Sequence, residues 1–365
     1  MPGNKKTNII NKIIKIIAVL FAFTITVFVV LTGVIIYFNS PLHPDKMPQI
    51  ADEIDGVRKT EDGAYLVDIR RGESSQSAGM RLERAGLIKN RYLWNLLCRV
   101  NKEHIKNGTY KIEIPVNMLA VHSLLVSGKQ ILYKVTIPEG VTLSKIAKIL
   151  EEADICSAED FLVSARDPQI INEYRIPDAS SMEGYLFPDT YLFPAGFPAK
   201  KVVSTMADNF YKRIVNIEPL AVNISSRELN DKVILASIVE REYRIYDEAP
   251  LMAGVFYNRL RINMALQSCA TVEYIITEIQ GKPHPSVIYN QDLEIRDPYN
   301  TYIRAGLPPG PISAPGAVAL RAVFFPEKSE FFYFRLNDRN SGKHYFSKTL
   351  DEHIKAGQLF TKSQS

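Results

Sequence analysis

Cysteine is scarce in this sequence: 365 residues carry three, Cys98, Cys156 and Cys269. So few, odd in number and widely spaced, they exclude a disulfide framework and predict free thiols, and no neighbouring base or helix start marks any of them as a nucleophile. The six histidines (His43, His104, His122, His284, His344, His353) include no H-E-x-x-H and no close pair, which argues against a zinc hydrolase and predicts no metal centre. There is no G-x-S-x-G elbow and no S-x-x-K, so a serine hydrolase or a penicillin-binding transpeptidase is disfavoured. A P-loop and a dinucleotide fingerprint are also missing, and no cofactor is expected. Excess positive charge is missing from the body. The 44 Lys and Arg exceed the 40 Asp and Glu by four, the number of lysines (Lys5, Lys6, Lys12, Lys15) in the acid-free first fifteen residues. The body therefore has no net field to gather nucleic-acid phosphates, and no nucleic-acid partner is expected. What remains, 46% hydrophobic and 23% charged residues with dispersed Pro and Gly, is the composition of a folding chain of two or three domains.

One long apolar run is present. Residues 16–38, IIAVLFAFTITVFVVLTGVIIYF, hold no charge and extend about 34 Å as a helix, enough to cross a hydrocarbon core. A cleaved signal peptide fits poorly, because the run is too long and GVIIYFNSP contains no small-x-small cleavage site. The preceding lysines place the N-terminus in the cytoplasm by the positive-inside rule, and the remainder outside. The membrane is thus one expected partner.

Beyond the span, residues 39–60 are polar with three prolines and read as a linker. A repeat follows. VDIRRGESSQSAGMRLERAGLI (67–88) and VTIPEGVTLSKIAKILEEADIC (135–156) superimpose at a shift of 68, matching Val67 with Val135, Ile69 with Ile137, Gly72 with Gly140 and Leu82 with Leu150. Each copy reads as a strand, a turn glycine and a helix begun after Ser or Thr. Between them GTYKIEI (108–114) alternates as a strand, and Val116 to Gly128 reads as a short helix closing on glycine. Such α+β modules resemble LysM-like folds, which bind N-acetylglucosamine polymers; a plain spacer is the other reading.

The texture changes at Ser181, where SMEGYLFPDTYLFP crowds aromatics and prolines around Glu183 and Asp189. The stretch ELNDKVILASIVEREY (228–243) is the most apolar helix candidate outside the membrane, with Asn230 or Asp231 as its cap. On a wheel Val233, Ile234, Leu235, Ala236, Ile238, Val239 and Tyr243 cover almost the whole circumference. Glu240 falls between Val233 and Ala236, beside Ser237, whereas Glu242 lies between the larger Leu235 and Ile238. A carboxyl among apolar groups holds its proton toward neutral pH, as a general acid must. The competing reading pairs Glu240 with an arginine at a helix end. Neutral groups elsewhere in the region from Ser181 onward (Tyr185, Tyr191, Asn258, Gln267, Tyr299, Asn300, Tyr302) suit uncharged polyols better than metals or phosphates. The aromatics at 185–193 are either core or sugar platform. Glu183 either orients a substrate or pairs with an arginine. GLPPGPISAPG (306–316), with four prolines in eleven residues, is a stiff irregular loop.

Five ordered blocks, EGYLFPDTY (183–191), LASIVERE (235–242), FYNRLRINMALQ (256–267), YNTYIRAGLPPGPISAPG (299–316) and FYFRLNDRNSGKHYFS (332–347), resemble the YceG/MltG family of membrane-anchored endolytic murein transglycosylases. The resemblance implies an α+β fold: an N-terminal transmembrane helix, small LysM-like α+β modules and a mixed α+β catalytic domain. The expected divisions are a cytoplasmic tip at 1–15, the span at 16–38, a linker at 39–60, duplicated modules at 61–165 and the catalytic domain at 166–365. It also implies that Glu240 is catalytic and that the substrate is a peptidoglycan glycan strand. Protein partners would be penicillin-binding synthases, and the expected place is the inner membrane with the catalytic domain outside. Candidate substrate-binding residues are Glu183, Tyr185, Tyr191, Asn258, Gln267, Tyr299 and Asn300. The chain departs from the family pattern at Cys269-Ala270, where Asp-Pro is usual, and at Ala314, where Asn is usual. A non-catalytic glycan-binding scaffold and a hydrolytic muramidase are the alternative readings.

Overall fold

The computed structural model describes residues 3–41, 53–54, 56–60, 62–70, 72–101, 103–217, 224–337 and 340–363. They divide into two units, Met1–Ile131 and Leu132–Ser365.

The first unit opens with α1 (Gly3–Asn39), whose Ile14–Asn39 portion has a mean hydropathy of 2.8 and no buried residues, long and apolar enough to cross a membrane. The three threonines of this apolar portion do not break the helix, because each hydroxyl bonds a carbonyl one turn back: Thr24 to Phe21, Thr26 to Ala22 and Thr32 to Phe28, at 2.7–2.9 Å. Four antiparallel strands follow in sequence order across one sheet, β1 (Glu53–Ile54), β2 (Val57–Lys59), β3 (Tyr65–Ile69) and β4 (Gly108–Ile112). Strands at 53–59 thus occupy the end of the expected linker, and 42–52 lie outside the described residues. Helices α2 (Ser75–Arg84), α3 (Arg91–Val100) and α4 (Met118–Ser127) complete the unit. Val57, Val67 and Tyr110 align across the sheet and pack with Leu82, Trp94 and Leu125. The buried Arg81 guanidinium is held by Glu73 in a two-bond pair at 2.9 and 2.6 Å.

The second unit contains β5 (Tyr133–Thr136), α5 (Leu143–Glu152), α6 (Ala158–Ala165), α7 (Pro168–Glu173), β6 (Thr190–Phe193), α8 (Ala199–Ile217) and α9 (Ser226–Glu242). It continues through α10 (Ala249–Arg261), α11 (Cys269–Tyr274), α12 (Ala317–Phe324), the hairpin β7 (Tyr333–Leu336) and β8 (His344–Ser347), and α13 (Leu350–Ser363).

Both repeat copies fold alike. Ser74 and Thr142 accept from Ser77 and Lys145 backbone N–H at the helix starts. Both helices close by the same bond, from Leu87 N–H to Leu82 O and from Ile155 N–H to Leu150 O, after a left-handed residue at Gly86 and Asp154. They do not, however, share a domain. The unit boundary falls after Ile131, against the division at 165 read from the sequence. The reason is strand pairing: β5 pairs with β6, setting Val135 opposite Tyr191 and Tyr133 opposite Phe193, so the second copy contributes Ile137, Ile146 and Leu150 to the core of the second unit.

Helix α9 begins earlier than the sequence suggests. Ser225 is its cap, accepting from Glu228 N–H at 3.1 Å, while Asn230 lies inside the helix and accepts from the Tyr185 hydroxyl at 2.8 Å. The S-x-x-E spacing of 225–228 is the overlooked signal. From Val233 to Val239 every residue is buried, with α10, α11 and α12 packed around the helix.

Candidate active site

The residue that emerges from the buried stretch of α9 is Glu240, half-buried in the last turn of the helix. Its carboxylate is held from two sides. The backbone N–H of Gly316, at the start of α12, donates to Oε2 at 2.8 Å, and the Tyr243 hydroxyl donates to Oε1 at 3.0 Å. The loop that supplies Gly316 is fixed along α9 by Ser237, whose Oγ donates to Ile234 O and accepts from Ile312 N–H at 3.0 Å. Ser313 Oγ donates to Ser237 O at 3.0 Å. The proline-rich 306–316 segment is therefore a rigid strap, and its register decides where the Gly316 donor falls.

Burial raises the Glu240 pKa to about 7, and the charge of Glu139 adds to the rise; the Gly316 N–H, the Tyr243 hydroxyl and Arg241 oppose both. The group is thus poised between acid and base at neutrality. Arg241 does not neutralise it. That guanidinium pairs with Glu273 and donates to Gly140 O at 3.2 Å, so the ion-pair reading of Glu240 does not hold. Glu242 is committed elsewhere, accepting from the Ser268 hydroxyl.

The other sequence-derived candidates fall into two groups. Glu183 and Tyr299 line one cavity of about 370 Å³, together with Asn230, Asp297, Gly310 and Pro311. Glu183 is buried, with a pKa pushed up to about 8 by desolvation; Oε2 accepts from Leu143 N–H at 3.1 Å, and Oε1 has no partner among the described residues. The Tyr299 ring packs on Tyr274 at 5.1 Å. Gln267 is exposed and has a left-handed backbone, φ 51°, with its N–H donating to Thr301 O at 2.9 Å.

The second group is structural. Tyr185 is 1% exposed and Tyr191 7%, their hydroxyls donating to Asn230 and to Phe187 O, so neither ring offers a face to a ligand. Asn258 donates to Ser329 O and Phe331 O, both at 2.9 Å, and accepts from Arg261. Asn300 is fully buried, donating to Leu293 O and Ile295 O and accepting from Tyr302 N–H. Both amides tie loops to the body, because a buried amide must satisfy its donors and acceptor. Cys269 does open a helix, α11, contrary to the sequence reading, but burial raises its thiol pKa and its sulfur lies 3.0 Å from the Tyr302 hydroxyl. It is not an activated nucleophile. The three cysteines are free. Ala314 pairs through its backbone with Gly140 and Val141, each bond 2.8 Å, so the replaced side chain is not what holds the strap.

Sequence reasoning missed three members of the site: Tyr243, Gly316 and Glu139. Tyr243 sits three residues after Glu240, a same-face spacing that was available.

The YceG-like family profile matches residues 67–358. An endolytic murein transglycosylase of Streptococcus pneumoniae serotype 2 is 30% identical over 319 residues, covering 79% of this chain and 56% of that protein. The chain thus spans little more than half the length of this relative. An endolytic murein transglycosylase of Bacillus subtilis (strain 168) is 28% identical over 354 residues, 92% of each chain. A crystal structure of a yceG-like protein from Listeria monocytogenes aligns with a TM-score of 0.54 at 32% identity, covering 80% of this chain and 98% of that one. With the profile spanning most of the residues and these likenesses at both levels, the chain belongs to the YceG-like family.

Proposed function

We propose that this protein is a membrane-anchored lytic transglycosylase that cuts the MurNAc–GlcNAc bond within nascent peptidoglycan strands, with Glu240 as acid and then base. The observation that carries the reading is a single carboxyl with a pKa near 7, fixed by a backbone N–H and a tyrosine hydroxyl at the end of a buried helix. Curated relatives bear the name endolytic murein transglycosylase, which supports the substrate class.

In this reading protonated Glu240 gives its proton to the bridging oxygen as the C1–O bond breaks. Burial keeps the proton on Glu240 until the bond breaks, and the carboxylate left by the step is stabilised by two waiting donors, Gly316 N–H and Tyr243 OH. The carboxylate then takes the proton of the muramic acid C6 hydroxyl while that oxygen attacks C1 and closes a 1,6-anhydro ring. No external water and no second carboxyl are required, unlike hydrolysis by an acid–nucleophile or acid–base pair. Gln267, Glu183 and Tyr299 are the proposed substrate contacts among the candidates, being exposed or cavity-lining; the other four serve the fold.

The four N-terminal lysines favour a cytoplasmic N-terminus, an inner-membrane anchor and an outward-facing body, where glycan strands made by penicillin-binding synthases would meet the site. Digestion of peptidoglycan by the full chain, followed by mass spectrometry, tests the reading. Anhydro ends are expected; reducing ends alone would make it a muramidase, and unchanged glycan a scaffold.

A further inference from the structure

Glu139, from the turn between β5 and α5, belongs to neither the helix nor the strap that holds Glu240, yet its carboxyl converges on the same atom group. A Cβ built on Gly316 would fall inside the Glu139 carboxyl, and Gly316 N–H is the donor to Glu240 Oε2 at 2.8 Å. The turn is not free to drift. Gly140 N–H donates to Ala314 O and Ala314 N–H donates to Val141 O, each at 2.8 Å, which locks residues 139–141 beside the strap two residues before Gly316. Gly140 has φ 72°, and the space above its Cα is filled by Arg241 Cδ at 3.3 Å and Glu240 Cγ at 3.6 Å. A side chain there would meet both neighbours and force a strained backbone, so the turn's glycine and its glutamate are bound to one geometry.

We propose that Glu139 is a positioning residue for Glu240: its exposed carboxylate, held against Gly316 by the 139–141 turn, keeps the acid in its proton-bearing form at neutral pH by like-charge repulsion. The inference rests on the reading of Glu240 as the proton donor. The charged and titratable groups that act on Glu240 are Glu139 from this turn, and Tyr243 and Arg241 from its own helix, with Arg241 engaged by Glu273 of α11. Of these only Glu139 pushes the proton on; Tyr243 and Arg241 draw it off. Without Glu139 the balance shifts toward the carboxylate, and less enzyme carries the proton needed for the first step. Glu139 stays solvent-exposed, which keeps the coupling moderate and sensitive to salt.

The test is the pH dependence of kcat/KM for the full chain on peptidoglycan, compared among Glu139→Gln, Glu139→Lys and Glu139→Asp, with the Glu240 side-chain carbon titrated in parallel by 13C NMR and assigned by its loss in Glu240→Gln. The basic limb and the NMR midpoint are expected to move to lower pH in Glu139→Gln, on the order of half a pH unit for a solvent-screened neighbouring charge, further in Glu139→Lys, and to stay with the parent in Glu139→Asp. The displacement in Glu139→Gln should shrink in 1 M salt. Superimposed midpoints in all variants would overturn the proposal, as would a pH-independent loss of rate with an unmoved NMR midpoint, which would mark Glu139 as a substrate contact instead. If the parent protein shows no activity, the functional reading fails while the NMR titration still decides whether the two carboxyls are coupled.

Discussion

Ser237 links the helix that carries Glu240 to the strap that carries its backbone donor, and Ser237→Ala isolates that link. The side chain is wholly buried, so the substitution removes one oxygen without creating a cavity large enough for repacking. It strands Ile312 N–H, whose 3.0 Å bond to Ser237 Oγ is its partner. A buried donor left unmatched costs about 1–3 kcal/mol, which for a unit of this size lowers Tm by roughly 3–10 °C. Ser313→Ala is the internal control. It removes a donor to Ser237 O, but that carbonyl keeps its helical bond four residues on, so the loss should stay under about 1 kcal/mol. Differential scanning calorimetry of the full chain reads both. Activity reads the consequence: a slack strap misplaces Gly316 N–H, and the Ser237→Ala rate should fall about tenfold while KM stays near the parent value. Equal melting temperatures for parent and Ser237→Ala, or a larger loss in Ser313→Ala, would refute the claim that this serine fixes the strap.

Further outcomes follow from the same contacts. Burial raises three carboxyls above an ordinary 4.5: Glu183 to about 8, Glu240 to about 7, and Glu242 in the same direction. A folded pKa above the unfolded one gives stability that is complete below about pH 4.5 and lost as pH rises through 7 to 8, so Tm should decline over that window, and Glu183→Gln should flatten the decline; a Tm that rises from pH 5 to 8 by way of these groups would contradict the burial argument. Gly184 has φ 81°, and a Cβ there would overlap Pro311 and lie 3.1 Å from Val233 Cγ1, so Gly184→Ala should destabilise the second unit by about 2 kcal/mol or more, measured by thermal melting. Breaking the buried Arg81–Glu73 pair by Glu73→Ala should cost about 3–5 kcal/mol in the first unit, and urea unfolding that matches the parent would show the pair to be idle.

Local pattern carried a large part of this structure. The apolar span, the two strand–turn–helix copies and the buried helix that carries Glu240 are readable because each rests on periodicity and capping within twenty-odd residues. Tyr185, Tyr191, Asn258 and Asn300 looked like sugar ligands because their chemistry is the same whether they meet a polyol or a distant carbonyl. Asn258 finds its acceptors at Ser329 and Phe331, more than seventy positions away, and no local rule announces such a partner. The separation of the two copies is hidden for the same reason: β5 reads as the second half of a tandem module until β6, beyond fifty intervening residues, takes it into another core. Glu139 reads as an ordinary turn acid beside a glycine, and only the pairing of its turn with Ala314 brings it to Glu240.

The most direct measurement is a mass-spectrometric comparison of peptidoglycan treated with the full chain and with Glu240→Gln. The parent should release fragments ending in 1,6-anhydroMurNAc, and the variant, folded with an unchanged melting temperature, should be slower by about 10²-fold or more. Anhydro products formed at the parent rate by Glu240→Gln would contradict the assignment of the proton transfers to this carboxyl.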